Sequence, residues 1–312
     1  MGEESGSSPS PSGEGLGRGP ATSAVPPRHP PTPNPSPEGE GPIRTALANA
    51  TRALGVFSPT PRLDAELLMA HALGTTREAL LLQHLDDRTP PGFAPLLVRR
   101  VAHEPVAYIT GRRAFWTIEL AVGPGVLIPR PDSETLIEAA VDHFGATGPT
   151  CVLDLGTGPG TLLLAALAEW PGASGIGVDA SPVALDYARA NARALDLDAR
   201  ATFRQGDWAA EIAERFDLIL ANPPYIGADE ALPEEVRAHE PAEALFAGAD
   251  GLAAYRELLP QLPARLAPGG IAVIEIGASQ AAPVAALATA VGFKVVLHQD
   301  LGQRPRALVC RP

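Results

Sequence analysis

The chain has 312 residues, a formal net charge of −12 and 45% hydrophobic residues. This length allows one large domain and a small one, and the acidic balance argues against direct binding to nucleic acid, which requires basic surface. No apolar run approaches the length of a membrane span, so we expect no membrane partner.

We expect a cytoplasmic protein that is a monomer. The two cysteines, Cys151 and Cys310, fall in apolar strand patterns and are interpreted as reduced core residues. The seven histidines form no pattern with cysteines or carboxylates that would suggest ligands, so we expect no metal site.

Residues 1–41 consist mostly of Pro, Ser, Gly and Glu. Such a segment buries too little apolar surface to offset its ordering entropy, and it predicts a disordered tail. It lacks the apolar centre of a secretory signal. A true start further downstream is an open alternative.

Residues 42–110 show helical periodicity and predict a small helical domain. In its clearest helix, Leu63, Leu67 and Ala70 are expected to form the buried stripe, and Gly74 to end the helix. This domain is either a cap or a module that docks a partner, and the sequence leaves both open. Residues 111–132 are interpreted as a linker with a hairpin, because residues 114–122 alternate with period two.

Residues 133–312 alternate between strand and helix patterns. Strands are predicted at 150–155, 174–179, 200–204, 216–221, 270–276, 293–299 and 306–311, and helices at 133–145, 160–169, 181–194, 251–266 and 279–291. The alternation predicts an α/β fold with a doubly wound, mostly parallel seven-stranded sheet. Because the last two strands are joined by too few residues for a helix, we expect them to form an antiparallel hairpin at one edge.

A glycine-rich loop follows the strand at 150–155 and opens a helix. Its residues are Gly156, Thr157, Gly158, Pro159 and Gly160. Glycines let the backbone approach a ligand closely, and the start of the helix offers free amides. The spacing is G-x-G-x-G rather than G-x-G-x-x-G, and a dinucleotide site remains an alternative.

Two further residues are compatible with a nucleoside. Asp179 ends the next strand, where a carboxylate can accept both ribose hydroxyls. The other interpretation is an acid at a helix N-terminus, where Ser181 would be the cap and Pro182 the first helical residue. Trp208, after the third strand, could flank an adenine ring or belong to the core.

Asn222, Pro223, Pro224 and Tyr225 follow an apolar strand, and we call these four residues the ledge. The prolines end the strand ladder and stiffen the backbone carbonyl groups at the carboxyl edge of the sheet. An amide side chain, carbonyl oxygens and an aromatic ring at this place can hold a planar NH2 group.

These motifs, in this order, resemble those of the class I methyltransferases that use S-adenosylmethionine. Over residues 43–312 the chain more closely resembles the release-factor glutamine N5-methyltransferases (the PrmC/HemK family). The matching segments include 62–68, 104–111, 127–135 and 240–245, and the segment Ile-Pro-Arg-Pro-Asp at 128–132 is far more specific than the glycine loop. Two departures are Ser133, where the family usually has Thr, and His239, where it often has Tyr.

The resemblance implies a Rossmann-like methyltransferase domain at 133–312 that takes S-adenosylmethionine as cofactor. The residues implied to bind that cofactor are Gly156, Thr157, Gly158, Pro159 and Gly160 at its methionine part, Asp179 at the ribose, Trp208 by the adenine, and Asn222. The implied substrate is the glutamine of the Gly-Gly-Gln loop in class I peptide-chain release factors, with residues 42–110 helping to dock the release factor.

The ledge is implied to hold that glutamine. We expect the Asn222 oxygen and the Pro223 carbonyl to accept the two amide hydrogens, and Tyr225 to pack on the amide plane between prolines that shape the slot. These groups would align the amide nitrogen with the methyl group of the cofactor, and their dipoles would stabilise the charge that develops on the nitrogen. Arg130 and Glu134 are interpreted as an ion pair or as lining of the substrate entrance.

Several alternatives stay open from the sequence. A sister family methylates a glutamine of a large-subunit ribosomal protein and often has His at the position of His239. An adenine N6-methyltransferase would use a similar ledge on an extruded base. A non-catalytic factor that retains the fold and a dehydrogenase are weaker options.

Overall fold

The computed structural model describes residues 41–312. The tail predicted at residues 1–41 therefore lies outside the described residues, apart from Gly41. Each helix within residues 41–312 is too short or too polar to cross a membrane.

The described chain begins with helices that have their own hydrophobic core. They are α1 (Ile43–Leu54), α2 (Pro61–Leu73), α3 (Arg77–Gln83), α4 (Phe93–Val101) and α5 (Val106–Thr110). Apolar side chains from all five meet in one buried cluster that includes Leu54, Leu68, Leu80, Phe93 and Ile109. This confirms the predicted helical region.

The predicted buried stripe of α2 is wrong in part. Leu63 is 39% exposed, whereas Asp64, Leu68 and Met69 are buried. Helices pack against α2 on several sides, so its buried face is broad, and Asp64 is accommodated because the guanidinium of Arg100 donates a hydrogen bond to it at 2.8 Å. The predicted helix end is confirmed: the residue after Leu73 is glycine in the left-handed conformation.

A two-stranded antiparallel hairpin follows the helices. Its strands are β1 (Arg112–Phe115) and β2 (Ile118–Ala121), with Arg112 opposite Ala121 and Phe115 opposite Ile118. Exposed and buried residues alternate along β2, which is the pattern that predicted the hairpin.

The remaining strands form one seven-stranded sheet. They are β3 (Cys151–Leu155), β4 (Ser174–Asp179), β5 (Ala201–Gln205), β6 (Phe216–Ala221), β7 (Leu266–Glu275), β8 (Lys294–Gln299) and β9 (Pro305–Arg311), in the spatial order β5-β4-β3-β6-β7-β9-β8. In this order, every pair of neighbouring strands from β5 to β7 is parallel, and β9 runs antiparallel to both of its neighbours, β7 and β8. The predicted mostly parallel sheet and its antiparallel edge hairpin are confirmed.

Six further helices accompany these strands in the described chain: α6 (Glu134–Phe144), α7 (Thr161–Glu169), α8 (Pro182–Ala194), α9 (Glu234–His239), α10 (Ala253–Leu258) and α11 (Ala281–Ala290). The single helix predicted at 251–266 is wrong, since α10 ends at Leu258 and two short 3-10 turns follow. Pro260 and Pro263 lie in these turns, and each removes a backbone donor that a continuing helix would need.

Both faces of the sheet are covered, and the core has two main layers. Alternate residues of β3 enter different clusters: Val152 packs in one with α6 and α7, and Leu153 packs in the other with α10 and α11. From β3 the chain moves outward to β4 and β5, then returns to β6 on the other side of β3. This reversal of direction creates a crevice at the carboxyl ends of β3 and β6.

Candidate active site

A cavity of about 590 Å³ lies at this crevice. Its size is within the range of small-molecule sites. Eight of the predicted site residues line it: Gly156, Thr157, Gly158, Pro159, Asp179, Trp208, Asn222 and Pro224. Gly160, Pro223 and Tyr225 are not among the lining residues. The structure thus brings together motifs that are spread over about a quarter of the sequence, because parallel strands end at the same edge.

The glycine loop turns back over the end of β4. The amides of Gly156 and Thr157 both donate to the Val178 carbonyl, at 2.9 and 3.0 Å. Gly156 has a φ of 72°, a conformation that favours glycine. A Cβ at that position would lie 3.5 Å from the Trp208 ring, so the missing side chain leaves room between the loop and the indole.

Asp179 occupies the tip of β4, where the sequence predicts a ribose-binding acid. Its Oδ2 accepts from the Gly158 amide at 2.8 Å, and its Oδ1 accepts from the Ser181 amide at 2.8 Å. Burial raises the pKa of Asp179 above its ordinary range, although these backbone amides act in the opposite direction. Each carboxylate oxygen has a second lone pair, so the residue can still accept hydrogen bonds from a ligand.

The predicted cap of α8 is also present. The Ser181 hydroxyl accepts from the Ala184 amide at 3.2 Å, and Pro182 is the first residue of the helix. The two interpretations of Asp179 are therefore compatible, since one acid borders both the cavity and the helix start.

Asp154 is a lining residue that the sequence interpretation did not include. Its side chain is fully buried in β3, where Oδ2 accepts from the Thr157 hydroxyl at 2.6 Å and from the Leu163 amide at 3.1 Å. Its Oδ1 has no hydrogen-bond partner within residues 41–312. A charged residue inside the apolar strand 151–155 was the signal that could have identified it.

Trp208 lines the cavity in a conformation that is rare for a residue with a side chain. Its φ is 49°, and its ring is partly buried against the cluster around β3, β4 and β6. Strained backbone of this kind is concentrated at functional sites. Trp208 therefore packs partly on the core and also lines the cavity, whereas its contact with an adenine ring stays a prediction.

The ledge places one amide side chain on the cavity wall. The Nδ2 of Asn222 donates to the Ser133 hydroxyl at 3.1 Å. In the described part of the chain no group donates to its Oδ1. The oxygen end of this amide is therefore available as an acceptor next to the cofactor cavity.

Two ledge residues lie behind that wall. Pro223 is buried. The Tyr225 ring packs on the cluster beneath the sheet edge, and its hydroxyl donates to Glu275 Oε1 at 3.3 Å. The packing of Tyr225 on a substrate amide is untested and stays a prediction.

The pairing suggested for Arg130 and Glu134 is wrong. Arg130 donates to Glu240 at 2.5 Å, and the same carboxylate accepts from the Ile128 amide at 3.1 Å. Glu134 instead accepts from the Trp116 amide at 2.9 Å. Arg130 does line the cavity, so its other interpretation as part of the entrance remains open.

The fold and the site define a class I methyltransferase whose cofactor is S-adenosylmethionine. The residues fit this group: the cavity has sufficient volume, a glycine loop and an acid-tipped strand border it, and Asp154 keeps a free acceptor. Two family models match the chain, a PrmC N-terminal domain over residues 45–111 and a methyltransferase domain over residues 148–292.

Relatives with similar sequences identify the family to which the chain belongs within this class. A release factor glutamine methyltransferase of Rhodospirillum rubrum is 47% identical over 80% of this chain and 79% of its own length. One of Caulobacter vibrioides is 43% identical over 85% of this chain and 93% of its own. The chain belongs to the release factor glutamine methyltransferases, and these relatives do not favour the ribosomal-protein or nucleic-acid alternatives.

Among solved structures, the catalytic domain of hMettl16 has a TM-score of 0.50 and 17% identity, covering 61% of this chain and 75% of that one. This likeness shows the fold.

Proposed function

We propose that this enzyme transfers a methyl group from S-adenosylmethionine to the side-chain amide nitrogen, N5, of the glutamine in the Gly-Gly-Gln loop of class I peptide-chain release factors. Family membership supports a release factor as the methyl acceptor. The observation that carries the choice of glutamine is the Asn222 amide, whose oxygen is unpaired at the edge of the cofactor cavity.

The two ends of the cavity would serve different molecules. The methionine part of the cofactor would be held by Gly156, Thr157, Gly158 and Pro159, and Gly160, the N-cap residue of α7, would support this loop. Asp179 would accept hydrogen bonds from the ribose hydroxyls of the cofactor, and Trp208 would lie against its adenine ring. The unpaired Oδ1 of Asp154 supplies a further acceptor for a cationic group of the ligand.

The ledge would hold the substrate carboxamide. One amide hydrogen would be accepted by Asn222 Oδ1 and the other by the Pro223 carbonyl, while Pro224 forms the adjoining wall. Asn222 would border the cofactor as well, since it shares the cavity with the glycine loop. Tyr225 would support the slot, either against the amide plane or from behind.

These contacts address the main barrier of the reaction. A carboxamide nitrogen is a poor nucleophile, and the bound cofactor supplies a methyl group that is already activated by its sulfonium. Fixing the nitrogen in line with that methyl can lower the barrier by about 7–11 kcal/mol. Positive charge grows on the nitrogen during transfer, and the Asn222 and Pro223 oxygens would stabilise it until the nitrogen releases its extra proton to water.

We further propose that residues 42–110 help to dock the release factor, with 111–132 as the hairpin linker and 133–312 as the catalytic domain. The separate hydrophobic core of α1 to α5 supports this division. The cytoplasmic location, the monomeric state and the absence of direct nucleic-acid binding stay predictions from the sequence.

An Asn222→Ala variant tests the proposal. Loss of the amide oxygen is expected to reduce turnover on a purified release factor by roughly 100-fold, a magnitude typical for removal of one preorganised stabilising group. The affinity for S-adenosylmethionine, measured by calorimetry, is expected to stay nearly unchanged. Methyl incorporation is measured by mass spectrometry of the loop peptide.

The matched substrate control is a release factor whose loop glutamine is replaced by alanine. It should receive no methyl group from the unaltered enzyme. Methylation of that control at another site, or an equal loss of turnover and cofactor affinity in Asn222→Ala, would contradict the assigned role of the ledge.

A further inference from the structure

A buried asparagine connects the hairpin to the glycine loop. Asn191 lies near the C-terminal end of α8 and is 2% exposed. Its Oδ1 accepts from the Ala121 amide at 2.7 Å, and its Nδ2 donates to the Ala121 carbonyl at 3.1 Å. The same Nδ2 donates to the Pro159 carbonyl at 2.9 Å. One side chain thus holds the end of β2 and the glycine loop against the same helix.

The three contacts fix the orientation of the Asn191 amide. A side-chain amide has two N–H donors and one acceptor oxygen. Both donors of Asn191 meet carbonyl oxygens and its oxygen meets an N–H group, so a rotation by 180° would place like groups opposite each other at all three contacts. A buried asparagine inside a helix is unfavourable unless its polar groups are paired. These hydrogen bonds, rather than packing, therefore explain why a polar residue occupies this position.

The Pro159 carbonyl needs a donor from outside its own segment. Because α7 begins at Thr161, a helix that started earlier would satisfy this carbonyl with the Leu163 amide, four residues further on. That amide donates to Asp154 Oδ2 at 3.1 Å instead. Asn191 supplies the donor that the carbonyl would otherwise lack, and Pro159 lines the cofactor cavity.

The chain that continues from β2 lies along α8, and we call residues 121–127 the strap. A Cβ added to Gly123 would lie 2.3 Å from the Tyr187 hydroxyl oxygen. A Cβ added to Gly125 would lie 2.9 Å from a methyl group of Val183. Every second residue of the strap thus approaches α8 closely. The asparagine, the tyrosine and the valine follow one another at intervals of four residues, so they lie on one face of the helix.

The far end of the strap is a wall of the cofactor cavity. Gly125, Val126 and Leu127 line the cavity, as does the glycine loop. The Val126 carbonyl accepts from the Tyr108 hydroxyl at 2.6 Å, which fixes this end of the strap to α5. Asn191 therefore joins two walls of one cavity at the place where both leave the core.

We propose that Asn191 is a positioning residue that fixes the strap relative to the glycine loop and so preorganises the cavity for S-adenosylmethionine. Asn191 does not line the cavity, and it acts through Ala121 and Pro159. Without it, the two walls must become ordered when the cofactor binds, and the cost of that ordering lowers the affinity. The inference concerns the cofactor, so it does not depend on which protein accepts the methyl group.

Asn191→Leu tests this role, because leucine has a similar size and forms none of the three hydrogen bonds. The dissociation constant for S-adenosylmethionine, measured by calorimetry, is expected to rise roughly tenfold, in line with buried backbone groups left unpaired. The kcat on a purified release factor at saturating cofactor is expected to stay nearly unchanged, because the residue touches neither reacting group. A residue that only stabilised the fold would lower the transition temperature and leave the dissociation constant as it is.

Asp217→Ala is the matched control. Asp217 Oδ2 accepts from the Thr150 and Cys151 amides at 2.8 and 3.1 Å, at the amino end of β3 and therefore opposite the cavity. This variant also loses side-chain hydrogen bonds to backbone groups, and it is expected to unfold at a lower temperature with unchanged cofactor affinity. An unchanged dissociation constant in folded Asn191→Leu, or an equal rise in the control, would overturn the inference.

Hydrogen exchange of the unaltered enzyme provides a second readout. Binding of S-adenosylmethionine is expected to slow exchange in the strap as well as in the glycine loop, because the two walls are ordered together. Protection of the loop without the strap would overturn the inference. If Asn191→Leu does not fold, as judged by circular dichroism, this measurement decides. Neither calorimetry nor exchange uses the release factor, so a failure of the proposed function would leave both results standing.

Discussion

Asp154 shows how one residue can link the stability of the sheet to the chemistry of the site. The side chain is fully buried, and burial raises its pKa to about 7, with a further increase from the charge of Asp179. The hydrogen bonds from Thr157 and Leu163 oppose this increase without cancelling it. A raised pKa means that the folded structure disfavours the ionised form of the acid, and a bound cationic ligand can stabilise that form.

The consequence for stability can be measured. Between the ordinary value of 3.8 and about 7, folded Asp154 binds more protons than unfolded Asp154, so its contribution lowers the free energy of unfolding as the pH rises through this window. The decrease amounts to about 4 kcal/mol at most. In Asp154→Asn this component is expected to be absent, so the variant should lose less stability than the unaltered protein as the pH rises.

Urea denaturation at several pH values, without cofactor, provides this comparison. The difference between the two stability curves gives the contribution of Asp154 alone. Glu275, whose pKa burial also raises to about 7, titrates in both proteins and cancels. Parallel stability curves for the variant and the unaltered protein would contradict the assignment.

At the scale of the elements, the glycine loop is fixed by the helices on which it rests. Gly160 precedes α7 with a φ of 88°, and an added Cβ would lie 2.8 Å from the Leu164 side chain and 3.5 Å from the Cα of Ala188. Gly158, two residues earlier, has a φ of 56° with nothing within 4 Å of an added Cβ. Both positions need the left-handed conformation, but only Gly160 also needs the space.

Gly160→Ala is therefore expected to be more destabilising than Gly158→Ala. The control variant should lose about 1 kcal/mol from backbone strain alone. The Gly160 variant should lose roughly 1–3 kcal/mol more, because the new methyl group would lie 2.8 Å from the Leu164 side chain of α7, which must shift in a packed region. Thermal unfolding of both variants, followed by calorimetry, measures the difference. Equal transition temperatures would show that the Leu164 side chain can shift at no cost.

For the whole molecule, Arg100 connects the helical region to the segment that follows the ledge. Its guanidinium is buried and donates to Asp64 of α2 at 2.8 Å and to Glu235 of α9 at 2.5 Å. The side chain of Glu235 is 30% exposed, whereas that of Asp64 is 8% exposed. The positive charge of Arg100 therefore mainly compensates the buried carboxylate of Asp64.

Arg100→Ala is expected to lower the free energy of unfolding by about 3–5 kcal/mol, because it leaves the Asp64 carboxylate buried without its cation. Glu235→Gln removes only the more exposed partner and should cost about 1 kcal/mol or less. Urea denaturation of both variants provides the values. A loss for Glu235→Gln as large as that for Arg100→Ala would indicate that the connection to α9, rather than burial of Asp64, determines the stability.

The break after α10 had a signal in the sequence, since Pro260 and Pro263 interrupt the predicted helix at 251–266. The broad buried face of α2 had no such signal. Apolar periodicity cannot reveal that Asp64 is buried, because its partner Arg100 is 36 residues away and belongs to another helix.

We could predict from the sequence the order of strands and helices, the glycine loop, the acid at the end of β4 and the ledge, because each of these is a local pattern of backbone preference and polarity. The tertiary structure alone decided which side chains support the site. Ser133 and Asn222 are 89 residues apart, and they meet because the end of β6 faces the turn before α6. Asn222 acquires a fixed orientation only through such a contact, since the direction of a hydrogen bond depends on partners that no local pattern of residues specifies.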